Sequence, residues 1–273
     1  MEAIHSRGLF ASASAAAVFV VISLLVLGAF DTPLRSLRFS YERAQFRAHP
    51  SAELAFQYGS EHLNSSKRRA YDIEAAEHFF LQAAFLNSDL PYLNHELARI
   101  AFLKGDFDTA LVRINREIAL YGDIEPNSYY VRGLIRGYRG EYDEAVTDYE
   151  RYIASDPTNW AALNDLAWVL LKAERFQEAS DISRRGLSYF PDNPWLLNTN
   201  AIAQYELDDF EGAYESARKA QQAVQTLTVR EWLTAYPGNN PATARDGMET
   251  LKVSIEQNMH SITLALASSV GQN

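Results

Sequence analysis

The sequence predicts an all-α protein of stacked helical hairpins behind an apolar N-terminal segment. Three observations carry that expectation. Residue sizes return in the same order every 34 or 35 positions, residues 8–30 hold no charge, and the C-terminal fifty residues carry an apolar stripe at helical spacing. Same-size residues recurring at one interval mark a stacked architecture in which each unit buries its apolar face against its neighbours.

Composition limits what such a stack can do. With 47% hydrophobic and 22% charged residues the chain is that of a folded protein. Its formal net charge is −10, but the first 50 residues hold five arginines against three acids, so the remainder carries −12. An acidic body lacks the basic face that releases counterions from phosphates, which argues against nucleic acid as a partner. There is no cysteine, which excludes disulfides, thiol chemistry and cysteine-held metals.

The elements follow in order. Residues 1–8 read as a short tail. The run GLFASASAAAVFVVISLLVLGAF then spans 23 uncharged positions, and at 1.5 Å rise per residue about 20 apolar residues cross a hydrocarbon core. The expectation is a single-pass transmembrane anchor over 9–30 and a place in the cell membrane. A cleaved secretory signal is the rival, with Leu27-Gly28-Ala29 as the cleavage site, although such apolar regions usually run about 7–15 residues. Arg35, Arg38, Arg43 and Arg47 follow the run while Arg7 alone precedes it. That bias points to a cytoplasmic body, but long domains translocate despite such charges, so the side stays open. Residues 31–50 read as a basic juxtamembrane segment: either a helix that sets its arginines on anionic headgroups and dips Leu34, Leu37 and Tyr41 inward, or a solvated connecting helix.

The repeats fill 51–225. Gly105, Gly140, Glu174 and Asp208 are equivalent positions, each followed two residues on by an aromatic (Phe107, Tyr142, Phe176, Phe210) and three later by alanine (Ala110, Ala145, Ala179, Ala213). Only a small residue fits where two antiparallel helices cross closely, and an aromatic just past the turn plugs the space between hairpins.

This pattern resembles the tetratricopeptide repeat, a family of 34-residue helix–turn–helix units. Residues 126–157 carry it best, with Tyr129, Gly133, Gly140, Tyr142, Ala145, Tyr149 and Pro157; residues 160–191 follow with Leu163, Leu166, Ala167, Phe176, Ala179 and Pro191. Residues 194–225 keep Ala201, Phe210, Ala213, Ala217 and Ala220 but have Gln225 in place of the proline, and residues 91–123 keep Leu97, Ala98, Gly105, Phe107 and Ala110. A degenerate first repeat, AELAFQYGSEHL with AYDIEAAEHFFLQAAF, has the polar NSSKRR where the family has a short turn. The resemblance implies a right-handed α-solenoid.

Residues 226–273 read as a helical cap. Asn240 and Pro241 suit a helix N-cap and first turn, and Met248, Leu251, Ile255, Met259, Ile262 and Leu266 form one stripe. It either covers the last repeat or docks a second helix.

Catalytic patterns are absent. The six histidines form no H-E-x-x-H pair, and no glycine-rich phosphate loop or G-x-S-x-G elbow occurs. The expectation is therefore no enzyme, no catalytic residue, no metal and no cofactor. What remains is the concave wall, which the resemblance assigns to the first helix of each hairpin. Repeat positions 2, 5, 9 and 12 share one helical face. They supply the partner-binding candidates Tyr92, His95, Arg99 and Phe102, then Tyr130, then Asn164 and Trp168, then Asn198 and Tyr205. Aromatics offer rigid contact area, and an amide both donates to and accepts from a peptide backbone. The family's carboxylate clamp needs several groove cations. Arg99 and the off-face Lys172 do not make one. The expected function is a membrane-anchored scaffold that binds a protein or peptide in its groove. The alternative is a structural, self-oligomerising protein whose own segments close the groove, which leaves a homo-oligomer open.

Overall fold

The computed structural model describes residues 31–64, 71–122, 124–235 and 239–270. Among them the regular structure is helical throughout: α1 Asp31–Ala48, α2 Ala52–His62, α3 Ile73–Leu86, α4 Leu93–Leu103, α5 Phe107–Tyr121, α6 Asn127–Arg139, α7 Tyr142–Ser155, α8 Trp160–Lys172, α9 Phe176–Tyr189, α10 Pro194–Glu206, α11 Phe210–Gln225, α12 Val229–Ala235, a 3₁₀ turn Pro241–Thr243, and α13 Ala244–Val270. Five hairpins result, α2 with α3 through α10 with α11, and each second helix also meets the first helix of the next hairpin.

One turn is used four times. Helices α4, α6, α8 and α10 end on Gly105, Gly140, Glu174 and Asp208, whose φ angles of 77°, 80°, 59° and 61° are all left-handed. The following N–H then reaches back five residues: Asp106 to Ala101, Glu141 to Arg136, Arg175 to Leu170 and Asp209 to Gln204, at 2.9–3.0 Å. This arrangement satisfies carbonyls that a helix end would leave orphaned. In the second and fifth hairpins the same residue caps the returning helix, Asp106 accepting from Thr109 N–H and Asp209 from Gly212 N–H.

The alanines three residues beyond each plug, Ala110, Ala145, Ala179 and Ala213, are all fully buried at the helix crossings, as is Ala76 in the first hairpin. The plugs themselves are half-buried, and Phe107 reaches Tyr138 of the next hairpin with ring centroids 6.1 Å apart. Inside the third hairpin Asp148 is 1% exposed and accepts from Arg132 through two nitrogens and from Arg136 through one.

Two N-terminal expectations change. Helix α1 is not a free connector. It lies against the first hairpin through Phe39 and Phe46, both edge-on to Phe79, and through Glu42, which accepts from Arg38 and contacts His62 at 2.5 Å. Burial alone would raise the Glu42 carboxyl, but the bonds from His62 and Arg38 hold it below its ordinary value. Leu34, Leu37 and Tyr41 point away from that contact and are exposed. The single-pass membrane location is also corrected. No helix among the described residues is long and apolar enough to cross a membrane, α13 with 27 residues being long but carrying Arg245, Asp246, Glu249, Lys252 and Glu256 in its first half. The segment 9–30, on which that expectation rested, lies outside the described residues.

Helix α13 lies against the last hairpin. Ile255 and Ile262 are buried on the last hairpin, Ile255 against Leu197, Ala220 and Val224, and Ile262 against Ala201, Ala213 and Ala217. Asn240 caps the 3₁₀ turn through Ala242 N–H, with Pro241 at its first position.

Candidate groove between the first helices

The first helices α4, α6, α8 and α10 line one cavity of about 560 Å³, with α12 and α13 at its C-terminal end. Seven of the nine expected residues border it. His95, Arg99 and Phe102 come from α4, Tyr130 from α6, Asn164 and Trp168 from α8, and Asn198 from α10. Position 5 lines the groove in all four repeats, position 9 in three and position 12 in one, as Phe102, because spacings of three and four stack side chains on one helical face.

The floor of the groove is polar and crosses repeat boundaries. Tyr130 donates to Asp165 Oδ2 at 2.7 Å, Asn164 donates to Asp165 Oδ1 at 3.3 Å, and Thr199 donates to Asn164 Oδ1 at 3.0 Å. Burial pushes the Asp165 carboxyl up to about 6, against the opposite pull of Tyr130 and Asn164. At the N-terminal end His95 is 7% exposed and meets Ser128 Oγ through Nδ1 at 3.1 Å. Burial, with the charge of Arg99 behind it, drives His95 down to about 3, so the ring is neutral. Arg99 donates to both oxygens of Glu96, whose carboxyl burial raises despite that guanidinium.

Aromatic rings form the walls. Phe102, Tyr138 and Trp168 follow one another along α4, α6 and α8, with centroids 5.2 and 5.6 Å apart. Lys172 sits over the Trp168 ring at 5.9 Å. Along the opposite rim Trp160 stacks on Trp195 at 5.0 Å, and Trp195 meets Trp232 of α12 at 6.0 Å.

Two expected residues lie elsewhere. Tyr92 is not on the helical face. It is a left-handed residue, φ 64°, that precedes α4, and its hydroxyl donates to Glu125, which pushes the phenol up to about 12. Its N–H and that of Asn94 donate to Glu117 of α5, a fully buried carboxylate that takes the place of an N-cap. Tyr205 packs on Phe210 beside Met259 of α13, so the cap takes it out of the groove. The cap also claims Asn198, which accepts from Asn258 Nδ2 at 2.9 Å.

Tyr138, Asp165 and Thr199 border the groove without having been expected there. They stand at repeat positions 13 and 6, four residues beyond positions 9 and 2, so the same helical spacing would have found them. No group of histidines and acids among the described residues is placed to hold a metal.

Stacked hairpins with a cavity between their first helices define an α-solenoid. The middle of the chain carries this repeat: residues 138–186 match the family described as tetratricopeptide repeat, and the same left-handed turn and buried alanines recur in the neighbouring hairpins. Among solved structures, "MamA RS-1 ArsTM double mutant" is similar over 64% of this chain and 95% of its own, at 16% identity and a TM-score of 0.57. "Crystal structure of MamA protein" covers 64% and 92% at 16% identity and 0.55, and "MamA MSR-1 C2" covers 63% and 97% at 20% identity and 0.53. At those identities the likeness is one of fold. No curated protein matches the sequence.

Proposed function

We propose that the chain is a scaffold that holds a protein or peptide partner in the groove between its first helices and carries out no chemistry of its own. The observation that supports this most directly is the cavity of about 560 Å³, where half-buried Phe102, Tyr130 and Trp168 stand beside the amides of Asn164 and Asn198. Rigid aromatic area with a few placed polar groups is what protein-recognition sites use. Open contact surface rather than a closed catalytic pocket fits the tetratricopeptide architecture, although a fold alone does not fix a function.

The test is affinity capture from a cell extract with the wild-type chain and with Trp168→Ala, Tyr130→Ala and Asn164→Ala combined. Proteins retained by the wild type and lost from the triple variant are the expected result. Equal retention on both sinks the reading.

One observation favours a narrower version. Asn258, Ala235, Asn239 and Leu251, all from the C-terminal segment, stand at the last hairpin's end of the groove. The chain closes that end itself, so the partner occupies the part bounded by α4, α6 and α8.

A further inference from the structure

Several enclosed acids among the described residues have a partner that offsets their charge, and Asp165 in the groove does not. Asp148 is held by Arg132 and Arg136, Glu96 by Arg99, and Glu42 by Arg38 with His62. Glu117 has no cation but accepts backbone N–H groups at a helix start, where negative charge is favoured. Asp165 has neither. Its two bonds come from the neutral groups of Tyr130 and Asn164, and a carboxylate has about four lone-pair sites. It lies in the cavity lining with Tyr130, Tyr138 and Trp168, and Tyr138 feels its charge. A half-buried carboxylate without a counter-charge costs free energy unless something supplies one.

We propose that Asp165, with the rings of Tyr130, Tyr138 and Trp168, forms a seat for a lysine or arginine side chain of the peptide that the groove holds. The proposal rests on the groove reading above and adds the partner's chemistry. The carboxylate supplies the counter-charge and the free lone pairs, and aromatic faces attract a cation that has left water. Lys172 already sits over the outer part of this wall, above Trp168, but it does not border the cavity. Arg99, the guanidinium that does border it, is engaged with Glu96. The −12 carried by residues 51–273 draws a basic segment toward the groove before contact.

The test pans a displayed random peptide library against the full chain and counter-selects on the Trp168→Ala, Tyr130→Ala, Asn164→Ala variant, so that groove-dependent peptides remain. The expected peptides carry lysine or arginine at one fixed register. In synthetic copies, arginine replaced by citrulline weakens binding to the wild type by about tenfold or more, and the penalty largely disappears in Asp165→Asn. That variant keeps an oxygen to accept from Tyr130, and its folding is checked by thermal melting. Tyr138→Leu, an exposed position, weakens the arginine peptides more than the citrulline ones. Groove-dependent peptides without a fixed basic residue, or an undiminished citrulline penalty in Asp165→Asn, overturn the seat and leave the groove reading standing. A selection in which every bound peptide is removed by the triple variant overturns both.

Discussion

Tyr130 on α6 donates its phenolic hydrogen to Asp165 on α8 at 2.7 Å, joining the first helices of two successive hairpins. Burial strips the carboxylate of its hydration and, against the stabilising pull of this bond, leaves its pKa at about 6, above the ordinary 3.8. The sign follows from proton binding. Between about pH 4 and 6 the folded state binds more protons here than the unfolded state, so this group adds stability as pH falls and loses it as pH rises through about 6. Asp165→Asn is therefore expected to melt higher than the wild type at pH 7.5, with the difference shrinking toward zero near pH 4. Melting curves of both proteins from pH 4 to 8 check this, and parallel curves would refute it.

His95 works in the opposite direction on the same groove. Its folded pKa of about 3 lies below the ordinary 6.5, so the stability it confers as a neutral ring is complete above about pH 6.5 and is lost as pH falls. His95→Gln should melt below the wild type at pH 7.5 because the cavity it fills is imperfectly replaced. That deficit should narrow on acidification toward pH 4. A deficit that stays constant across the range would show that the ring does not resist protonation.

Most of this architecture was legible because it rests on local constraints. A left-handed turn and a helix crossing with no room for more than a methyl group each restrict one residue, so Gly105, Gly140 and Ala110, Ala145, Ala179 and Ala213 stand out in the sequence. Where the constraint is tertiary, the sequence carried no signal. Tyr92 occupies repeat position 2 yet turns away, because Glu117 and Glu125, some 25 and 33 residues on, hold its N–H and hydroxyl. Tyr205 was lost to a helix beyond the repeats, and the docking of α1 depends on the buried Glu42–His62 contact, which has no sequence period. Tyr138 and Asp165 are a simpler case. They are the i+4 neighbours of repeat positions 9 and 2, so helical periodicity alone places them on the groove face.

The repeated turn makes a prediction of its own. Glu174 and Asp208 adopt the left-handed conformation that Gly105 and Gly140 adopt at the equivalent turns, and both side chains are exposed. An L-residue there costs roughly 1–2 kcal/mol, of which glycine's greater unfolded-state freedom takes back a part. Glu174→Gly and Asp208→Gly should each stabilise by about 0.5–1 kcal/mol, while Gly140→Ala should destabilise by a similar amount. Urea unfolding of the three variants decides it, and a loss of stability in both glycine variants would show that the acidic side chains contribute more than their backbones cost.

Glu117 replaces a cap that the sequence of α4 cannot provide, since Tyr92 makes no side-chain bond to the helix start. Glu117→Ala removes the acceptor for the N–H groups of Tyr92 and Asn94 and should cost about 2–4 kcal/mol, whereas Glu117→Gln keeps one acceptor oxygen and should cost less. Hydrogen exchange locates the effect. Faster exchange confined to the amides of residues 92–95 in Glu117→Gln is the expected pattern, and uniform acceleration along the chain would contradict a local capping role.

A stack of hairpins leaves the last one with an apolar face that no further repeat covers. Here α13 covers it: Ile255 and Ile262 are 0% and 2% exposed, over Leu197, Ala201, Ala220 and Val224 of the last hairpin, which are as deeply buried. Ile255→Ala and Ile262→Ala should each cost about 2–5 kcal/mol. Stability in a solenoid is close to a sum of units and interfaces, so the loss should fall on α10, α11 and α13 and leave the hairpins at residues 91–157 protected in hydrogen exchange. Asn198 would lose its bond to Asn258 in the same event, and the groove would open at its C-terminal end. Loss of protection spread evenly over all the hairpins would instead mean that the array unfolds as one cooperative unit and that the cap stabilises every repeat in it.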